Sequence, residues 1–407
     1  MSQHRRTVLL AFDEDLDSLN RGIFDYARRH GWHLLNIRDY EMELPRSFRP
    51  DGILFELTED RMPLVRQFLR MGVPIVQIED LVGGLNCPSV VQDGRARGRL
   101  AAEHFISRGF KNLAYLRSEV WDRPQAEWPC ESFVTHARQM GARADVIAVQ
   151  SLDHLLKWSQ FDALVARFRD EISRLELPLG IFTYHDVMAV RICDFCEAIG
   201  LRVPEQVAVL GSGNNQLKCD CSSVPLSSVD PDAFGQGRTA AELLDKLMDG
   251  QPASDETIMI PPKSVAARQS TDVLAIPDVD VARALRYIWA NCYRHLTVGN
   301  VADAIGVSRR KIERGFQAHL GRSVNEEFTR KRIERCRELL TTTRKPISAI
   351  ATEVGYRTGA YLFRLFRKVT GTTPRRYRLA HGQQAPPDAA GRRRRASAPP
   401  ASPGPSE

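Results

Sequence analysis

The sequence predicts a two-lobed α/β domain followed by an all-α domain that contains two helix-turn-helix units. Three observations predict this order. Short β-rich apolar runs alternate with helical patterns through about the first 270 residues, as in doubly wound α/β folds. The next hundred or so residues show helical patterns almost throughout. The charge also divides there, because residues 1–278 carry a net charge of −9 and residues 279–380 a net charge of +14.

The α/β pattern is long enough for two Rossmann-like lobes. Each predicted strand is a short apolar run bounded by turn residues, and these runs lie at residues 7–12, 52–57, 74–78, 113–116, 179–183 and 206–210. Apolar residues recur at helical spacing between the strands, which predicts helices at residues 18–30, 62–70, 94–108, 153–175, 186–199 and 231–247. The alternation predicts parallel sheets with helices packed against them.

The basic region is predicted to be helical, with helices at residues 281–291, 297–305, 309–319, 324–341, 346–353 and 358–369. Thr297 and Ser308 are suitable N-caps, because their hydroxyls can accept a bond from the first helical turn. Gly306 and Gly355 stand where a tight turn between helices can require a positive φ. Helix, turn and helix therefore occur twice, and the second helix of each unit fits a DNA major groove.

This basic region resembles the DNA-binding domain of the AraC/XylS family over its whole length. The most specific stretches are residues 347–356 (ISAIATEVGY) and 361–378 (YLFRLFRKVTGTTPRRYR), which match the family signature at nearly every informative position. The resemblance implies a domain at residues 281–380. It also implies which positions face the groove, namely Arg310, Glu313 and Arg314 in the first unit and Gly359, Ala360, Tyr361 and Arg364 in the second.

These groove-facing side chains have different chemistry. Arg314 and Arg364 can each form a bidentate pair with guanine, and Glu313 can accept a bond from a cytosine amino group. Tyr361 can contact a thymine methyl or a phosphate, and Arg367 is expected to bind phosphate. For each arginine the alternative is a side chain that contacts only solvent or phosphate.

The second recognition helix begins with two residues that have no polar side chain, Gly359 and Ala360. It is therefore expected to read fewer bases directly and to depend more on backbone contacts and DNA shape. The large apolar residues of both recognition helices fit core positions, and this prediction covers Phe316, Leu362, Phe363 and Phe366.

The α/β region resembles LacI/GalR-type sensor domains, which are relatives of periplasmic sugar-binding proteins. Residues 93–105 (DGRARGRLAAEHF) resemble the segment that opens the last helix of the first lobe in that family. Residues 200–211 (GLRVPEQVAVLG), 224–229 (VPLSSV) and 237–250 follow its second-lobe pattern. The resemblance implies a periplasmic-binding-protein-like sensor at residues 1–271, joined to the helical domain by a linker at residues 272–280.

Two lobes of this kind hold small polar ligands in the cleft between them, near the carboxyl ends of their strands. Asp13, Asp93, Asp186 and Asn214 follow predicted strands or open the next helix, and their side chains suit sugar hydroxyls. Trp121 can stack on a sugar ring. As alternatives, the aspartates that open helices can be simple N-caps, and the asparagine can be a turn residue.

One departure leaves the ligand class open. The LacI/GalR family usually has an arginine before the helix that starts here near Glu131, whereas this chain has Trp128-Pro129-Cys130.

The order of sensor first and AraC-type domain second resembles bacterial xylose-responsive regulators of the XylR type. The resemblance implies a homodimer that binds a double-stranded DNA operator under the control of a monosaccharide, xylose or a related sugar. RNA polymerase is a further candidate partner. A phosphorylated metabolite or a protein as the effector is the alternative.

The sequence gives little support to an enzyme, a membrane protein or a metal-binding protein. No GxGxxG or P-loop motif occurs, so the chain is not expected to be an enzyme. No apolar run of about 18 residues occurs and no signal peptide is recognisable, so we expect a cytoplasmic protein. Cys193-x-x-Cys196 and Cys219-x-Cys221 have zinc-like spacing, but helical cysteines are usually buried apolar residues. No metal or cofactor is therefore expected.

Residues 381–407, rich in Pro, Ala, Ser and Arg, are predicted to form a disordered tail.

Overall fold

The structure is a computed structural model, and it describes residues 5–12, 17–37, 44, 47–79, 81, 84–118, 124–149, 158–251, 257–276, 278–294, 296–356 and 358–381. Its strands, β1 to β12 in chain order, are Thr7–Phe12, His33–Asn36, Gly52–Glu56, Ile75–Ile78, Ser89–Gln92, Asn112–Ser118, Arg143–Val149, Leu179–Thr183, Val207–Ser212, Ser227–Asp230, Ile258–Ile260 and Ser264–Ala266.

The helices of the α/β region, α1 to α8, are Asp17–His30, Met62–Met71, Gly94–Ser107, Pro124–Gln139, Phe161–Ile172, Asp186–Ala198, Gln216–Asp220 and Ala233–Met248. The helices of the C-terminal region, α9 to α15, are Val279–Asn291, Val298–Ile305, Arg309–Leu320, Val324–Thr342, Ile347–Glu353, Gly359–Thr370 and Pro374–His381. Short 3-10 turns occur at Glu59–Arg61, Trp158–Gln160 and Gln269–Thr271.

The strands form two sheets, one in each lobe. The first has the order β11-β5-β4-β3-β1-β2 and the second β12-β10-β9-β8-β6-β7. The described strand pairs are parallel, except that β12 runs antiparallel to β10. Buried apolar clusters lie on both faces of each sheet, so the predicted two-lobed α/β architecture is confirmed.

Two helices pack against the sheet that does not contain the preceding strand. Helix α3 follows β5 of the first sheet, but its Ala101 and Phe105 lie in the core of the second lobe with Phe133. Helix α8 follows β10 of the second sheet, and its Leu244 lies in the first lobe's core. The expectation that residues 93–105 open the last helix of the first lobe was therefore wrong, because the chain crosses between lobes at this point.

Several elements that the sequence did not predict have polar or interrupted sequences. Strand β10 (SSVD) has serines at buried positions, which hides its strand character. Helix α4 begins at Pro124 and not near Glu131 as expected, and it contains Pro129 in its interior, where proline normally predicts a break. The predicted helix at residues 153–175 corresponds to α5, and residues 151–157 lie outside the described residues.

The C-terminal region has two apolar cores, one for each helix-turn-helix unit. We call α10 with α11 the first unit and α13 with α14 the second unit. Phe316 is buried in the core of the first and Phe366 in that of the second. Thr297 forms a capping box with Asn300 at the start of α10, and Ser308 caps α11 by accepting a bond from the Lys311 amide.

The segment predicted as a linker is packed against both neighbouring parts of the chain. Val273 and Ala275 contact the core of the second lobe, whereas Ile276 belongs to the core of the first unit. Gly109 has φ +87°, and a Cβ there would stand 2.4 Å from Ile276 Cγ1. Close packing therefore joins the α/β region to the helical region. The predicted tail lies outside the described residues, apart from the end of α15.

Candidate nucleic-acid interface and candidate ligand cleft

The recognition helix of the first unit, α11, presents a charged face to solvent. Arg310, Glu313 and Arg314 are all exposed there. The opposite side is packed so tightly that a Cβ on Gly315 would stand 2.4 Å from Val281 Cγ2 of α9. Close packing on one side therefore holds the charged face in position on the other.

The charged side chains of α11 differ in how they are held. Arg309 Nε donates to Glu313 Oε1 at 2.9 Å, one helical turn away. Among the described residues, no hydrogen bond or ion pair engages the side chains of Arg310 or Arg314. Their guanidinium groups can therefore bind a base edge or a phosphate without breaking an internal contact.

The recognition helix of the second unit, α14, presents a more aromatic surface. Ala360, Tyr361, Arg364 and Arg367 are exposed, and Gly359 is half-buried. The Arg364 guanidinium lies 5.2 Å from the centroid of the Tyr361 ring. This ring contacts that of Tyr356 at 5.5 Å. These contacts restrict the orientation of Arg364 before any DNA is bound.

One predicted core residue of α14 is exposed instead. Leu362 and Phe366 are fully buried, but 43% of Phe363 is accessible to solvent. Successive residues of an α-helix are about 100° apart, so a residue directly after a core position turns away from the core. The assignment of Phe363 to the core was wrong, and the assignments of Phe316, Leu362 and Phe366 are confirmed.

The candidate ligand cleft lies where strand ends of both lobes meet. Gln92 ends β5 of the first sheet and Ser212 ends β9 of the second. Arg97 of α3 joins them, because its Nη1 donates to Gln92 Oε1 at 3.0 Å and to Ser212 Oγ at 3.3 Å. Its guanidinium also lies 4.5 Å from the centroid of the Tyr184 ring, which follows β8.

Further polar groups of the first lobe extend this arrangement. Gln236 Nε2 donates to Glu79 Oε1 at 2.6 Å, and Gln92 Nε2 donates to Gln236 Oε1 at 3.1 Å. Burial by itself lowers the pKa of Arg97, but Tyr184 and Glu79 outweigh it and raise the pKa above its ordinary value. The cleft therefore contains a charged guanidinium, and its buried Nε has no hydrogen-bond partner among the described residues.

Two of the predicted ligand residues lie together in the second lobe, and both are engaged by the protein. Asp186 accepts bonds from Ser228 Oγ at 2.6 Å and from the Asn215 amide at 2.8 Å. Asn214 has φ +50°, and its Oδ1 accepts a bond from Arg268 Nη2 at 3.2 Å. Asp186 is the first helical residue of α6 rather than its N-cap, and it ties that helix to the loop after β9.

The other predicted ligand residues are separate from this pair. Asp93 caps α3 by accepting a bond from the Ala96 amide at 2.8 Å. Asp13 and Trp121 lie outside the described residues. Sequence reasoning missed Gln92, Arg97 and Ser212, although the rule that cleft residues follow strands could have identified the first and third.

The unusual Trp128-Pro129-Cys130 segment shapes the start of α3. A Cβ on Gly98 would stand 2.3 Å from the Pro129 carbonyl oxygen, and one on Gly94 would stand 3.0 Å from Pro129 Cδ. Helix α4 therefore lies against the backbone of α3 at the same turn from which Arg97 enters the cleft. The Arg97 side chain contacts Gln92 and Ser212, which end strands of different lobes, and α4 packs against the helix that carries it.

The cysteines with zinc-like spacing lie mostly in buried positions. Cys193, Cys196 and Cys219 are buried, and Cys221 is exposed. The part of the chain that the structure describes contains no group of three or more His, Cys, Asp or Glu side chains placed to hold a metal ion. Nor does any helix in that part have the length and apolar character needed to cross a membrane.

Family models match both parts of the chain. A periplasmic binding protein-like domain matches residues 102–271, and a helix-turn-helix domain matches residues 301–380. The xylose operon regulatory protein of Haemophilus influenzae is 33% identical over 294 residues, which are 72% of this chain and 75% of that protein. The protein of the same name from Escherichia coli (strain K12) is 34% identical over 212 residues, and the chain spans only 54% of its length.

Solved structures of transcription regulators are also similar to this chain. A structure of the xylose-binding transcription activator XylR covers 94% of this chain and 100% of its own, with 26% identity and a TM-score of 0.56. The cellobiose complex of the regulator CelR covers 65% of this chain and 85% of its own, with 19% identity and a TM-score of 0.52. The second comparison shows the sensor fold alone.

Proposed function

Because the chain belongs to the XylR-type family of transcription regulators, with a periplasmic-binding-protein-like sensor and an AraC-type helix-turn-helix domain, we propose that it regulates transcription by binding DNA under the control of a sugar. The observation that carries this proposal is the presence in one chain of two exposed basic recognition helices and a polar cleft between two lobes. The sensor then corresponds to residues 1–271, the linker to 272–280 and the DNA-binding domain to 281–380.

The DNA contacts are assigned to the exposed faces of α11 and α14. Arg310, Glu313 and Arg314 read bases from the first unit, and Tyr361 and Arg364 do so from the second. Arg367 binds phosphate, and the backbone at Gly359 and Ala360 approaches the groove closely. Two units joined by one helix can enter adjacent major-groove segments, which are about 34 Å apart on one face of DNA. A homodimer in the cytoplasm would present two such domains to one operator, where RNA polymerase is a further partner.

The effector is assigned to the cleft around Arg97. Gln92, Gln236 and Ser212 offer donors and acceptors that suit sugar hydroxyls, and Tyr184 offers an aromatic face. Asp13, Asp93, Trp121, Asp186 and Asn214 remain candidate contacts. Xylose is the first sugar to test, since it is named in the relatives. A ligand that favours one lobe arrangement shifts the population towards it, and this difference in affinity is what controls operator binding.

A phosphorylated sugar is a second candidate effector. The buried Arg97 guanidinium favours it, because a charged donor in a cleft binds phosphate oxygens more strongly than neutral hydroxyls.

The test combines DNA selection with ligand binding. Genomic fragments bound by the purified protein are sequenced with and without D-xylose, and sugar binding is measured by calorimetry against pentoses, hexoses and their phosphates. We expect one enriched motif whose occupancy changes with a sugar. The test variant is Arg97→Met, which should weaken sugar binding. The matched control is Arg143→Met on the exposed edge strand β7, which should leave sugar binding unchanged. Failure of all free sugars and sugar phosphates to bind would contradict the proposal.

A further inference from the structure

A buried contact joins the end of α3 to the DNA-binding domain. Arg108, the residue after α3, is only 5% exposed, and its guanidinium lies 5.1 Å from the centroid of the Trp289 ring of α9. Lys331 Nζ of α12 lies 4.7 Å from the centroid of the same ring. Arg322 Nη2 also donates to the Ser107 carbonyl at 3.0 Å. The tryptophan thus contacts one cation from the sensor and one from its own domain.

Trp289 is held from the side of the DNA-binding domain by a buried carboxylate. Its Nε1 donates to Glu327 Oε1 at 2.7 Å, and Glu327 is fully buried. Arg322 Nε donates to Glu327 Oε2 at 2.7 Å, and Arg330 Nη2 donates to Oε1 at 2.7 Å. Burial alone raises the pKa of Glu327, but the guanidiniums of Arg330 and Arg322 lower it to about 2. The charged cluster therefore fixes the indole ring against the sensor.

On the sensor side, Arg108 begins a chain of buried hydrogen bonds. Its Nη1 contacts His104 Nδ1 at 3.0 Å, and His104 Nε2 contacts Thr271 Oγ1 at 2.9 Å. Burial, together with the Arg108 charge, lowers the pKa of His104 well below its usual value, so the ring is neutral. Because a guanidinium only donates, Nδ1 is the acceptor and the ring proton lies on Nε2. Thr271 Oγ1 then donates to Ser227 Oγ at 2.7 Å.

The chain continues from Ser227 to the cleft. Ser227 Oγ accepts a bond from the Arg268 amide at 2.8 Å and donates to the Arg268 carbonyl at 3.0 Å. The Arg268 side chain then donates from Nη2 to Asn214 Oδ1 at 3.2 Å. Asn214 lies in the loop after β9, at the carboxyl end of the sheet where the ligand cleft opens. Continuous polar contacts thus run from the cleft loop to the DNA-binding domain.

We propose that this chain of contacts, from Asn214 through Arg268, Thr271 and Arg108 to Trp289, transmits occupancy of the cleft to the DNA-binding domain. Arg108 and Trp289 are positioning residues in this assignment, since neither faces the ligand or the DNA. The inference rests on the proposed function, because it requires an effector in the cleft.

The physical basis is the dependence of Arg108 on its neighbours. A buried guanidinium needs its hydrogen bonds and its aromatic partner to offset the loss of water, and burial lowers the pKa of Arg108 to about 10. A shift of the loop at Asn214 that moves Thr271 and His104 therefore changes how well Arg108 is held. The positions of Trp289 and of the first unit then change as well. The protein therefore has two conformations, and they present the first unit to DNA in different positions.

The first experiment needs no sugar. The full chain is labelled with 5-fluorotryptophan, and the fluorine NMR signal of Trp289 is identified by its loss in Trp289→Phe. Asn214→Gly removes the Oδ1 acceptor and tolerates the positive φ. We expect it to shift the Trp289 signal, as should Thr271→Val, which breaks the middle of the chain. Arg143→Met on β7 should leave the signal in place. A Trp289 signal identical in Asn214→Gly, Thr271→Val and the wild type would overturn the proposal.

The second experiment measures coupling with D-xylose. Operator affinity is compared with and without the sugar for the wild type, Arg108→Met and Thr271→Val. Coupling between sites is typically 5- to 150-fold, and we expect it to fall to about two-fold or less in both variants while the xylose Kd stays within about two-fold. Full coupling in both variants would contradict the inference. Failure of the wild type to bind any sugar would instead contradict the proposed function, and the fluorine signals would still test the connection.

Discussion

The first and second helix-turn-helix units have the same layout but present different surfaces. In the first, α11 exposes Arg310 and Arg314 with no internal partner among the described residues. In the second, Arg364 is stacked on Tyr361 and the helix begins with two small residues. The apolar cores therefore preserve the repeated fold, whereas the exposed faces can diverge without affecting it.

The two units are also attached to the sensor differently. The core of the first unit packs against Trp289 of α9, which contacts Glu327 of α12 and Arg108 of the sensor. The core of the second unit includes Tyr377 of α15, whose hydroxyl donates to the Lys263 carbonyl of the sensor at 3.4 Å, between β11 and β12. We therefore expect the first unit to depend more strongly on the sensor than the second does.

The largest expected effect concerns the apolar cores of the two units. Phe316→Ala and Phe366→Ala should each lower the free energy of unfolding by about 3–5 kcal/mol, because both fully buried rings leave a cavity. Phe363→Ala should change it less, by about 1 kcal/mol, since that ring is partly exposed and lies outside the core. Urea denaturation followed by circular dichroism measures these differences. A Phe363→Ala loss as large as that of Phe366→Ala would show that the two positions are equivalent after all.

The second prediction concerns pH and separates the two units. The folded pKa of Glu327, about 2, lies below its ordinary value of 4.5, so its stabilising contribution is present above pH 4.5 and disappears as the pH falls towards 2. The contribution is about 3 kcal/mol, at about 1.4 kcal/mol for each unit of pKa shift.

Denaturation of the wild type and Glu327→Gln from pH 6 to pH 2.5 measures this contribution as the difference between the two curves. The curves should be well separated at pH 6 and approach each other at low pH. Glu353→Gln, at a partly exposed carboxylate of the second unit, is the matched control for the same substitution outside the buried cluster. A constant gap for Glu327→Gln would show that the charge of this carboxylate does not stabilise the attachment of the first unit.

The third prediction compares base readout. Arg314→Ala and Arg364→Ala should each reduce discrimination between the operator and mutated operators by about 1–3 kcal/mol. Arg367→Ala should instead weaken binding to all sequences alike and lower the salt dependence by about one unit. Gel-shift titrations at several salt concentrations give both quantities. Unchanged operator affinity in both Arg314→Ala and Arg364→Ala would show that these helices do not lie in the major groove.

The smallest expected effect concerns the N-caps of the two recognition helices. Ser308 accepts a bond from the Lys311 amide at 3.3 Å, and Thr358 accepts one from the Tyr361 amide at the same distance. Ser308→Ala and Thr358→Ala should each cost about 1 kcal/mol of stability, whereas Ser308→Asp should restore most of the first loss. A loss of stability in only one of the two variants would show that the N-caps of the two units do not contribute equally to stability.

Features that depend on neighbours in the chain could be predicted from the sequence. The apolar strand at residues 179–183 and the caps at Thr297 and Ser308 follow from local composition and hydrogen bonding, and the structure confirms them. The groove-facing positions stay predictions, although the structure places most of them on exposed faces. The exposure of Phe363 was missed because the adjacent apolar residues Leu362 and Phe363 were both assigned to the core, although successive helical residues are about 100° apart.

By itself, the sequence determined the two kinds of domain, their order and the two helix-turn-helix units, because periodicity, turn residues and charge are local properties. Tertiary structure alone decided that α3 packs in the second lobe, that Pro129 lies inside a helix, and that Arg97 joins strand ends from both lobes. It also decided the contact between Arg108 and Trp289. These features depend on residues far apart in the chain, which only the folding of two sheets and the packing of one domain on another bring together.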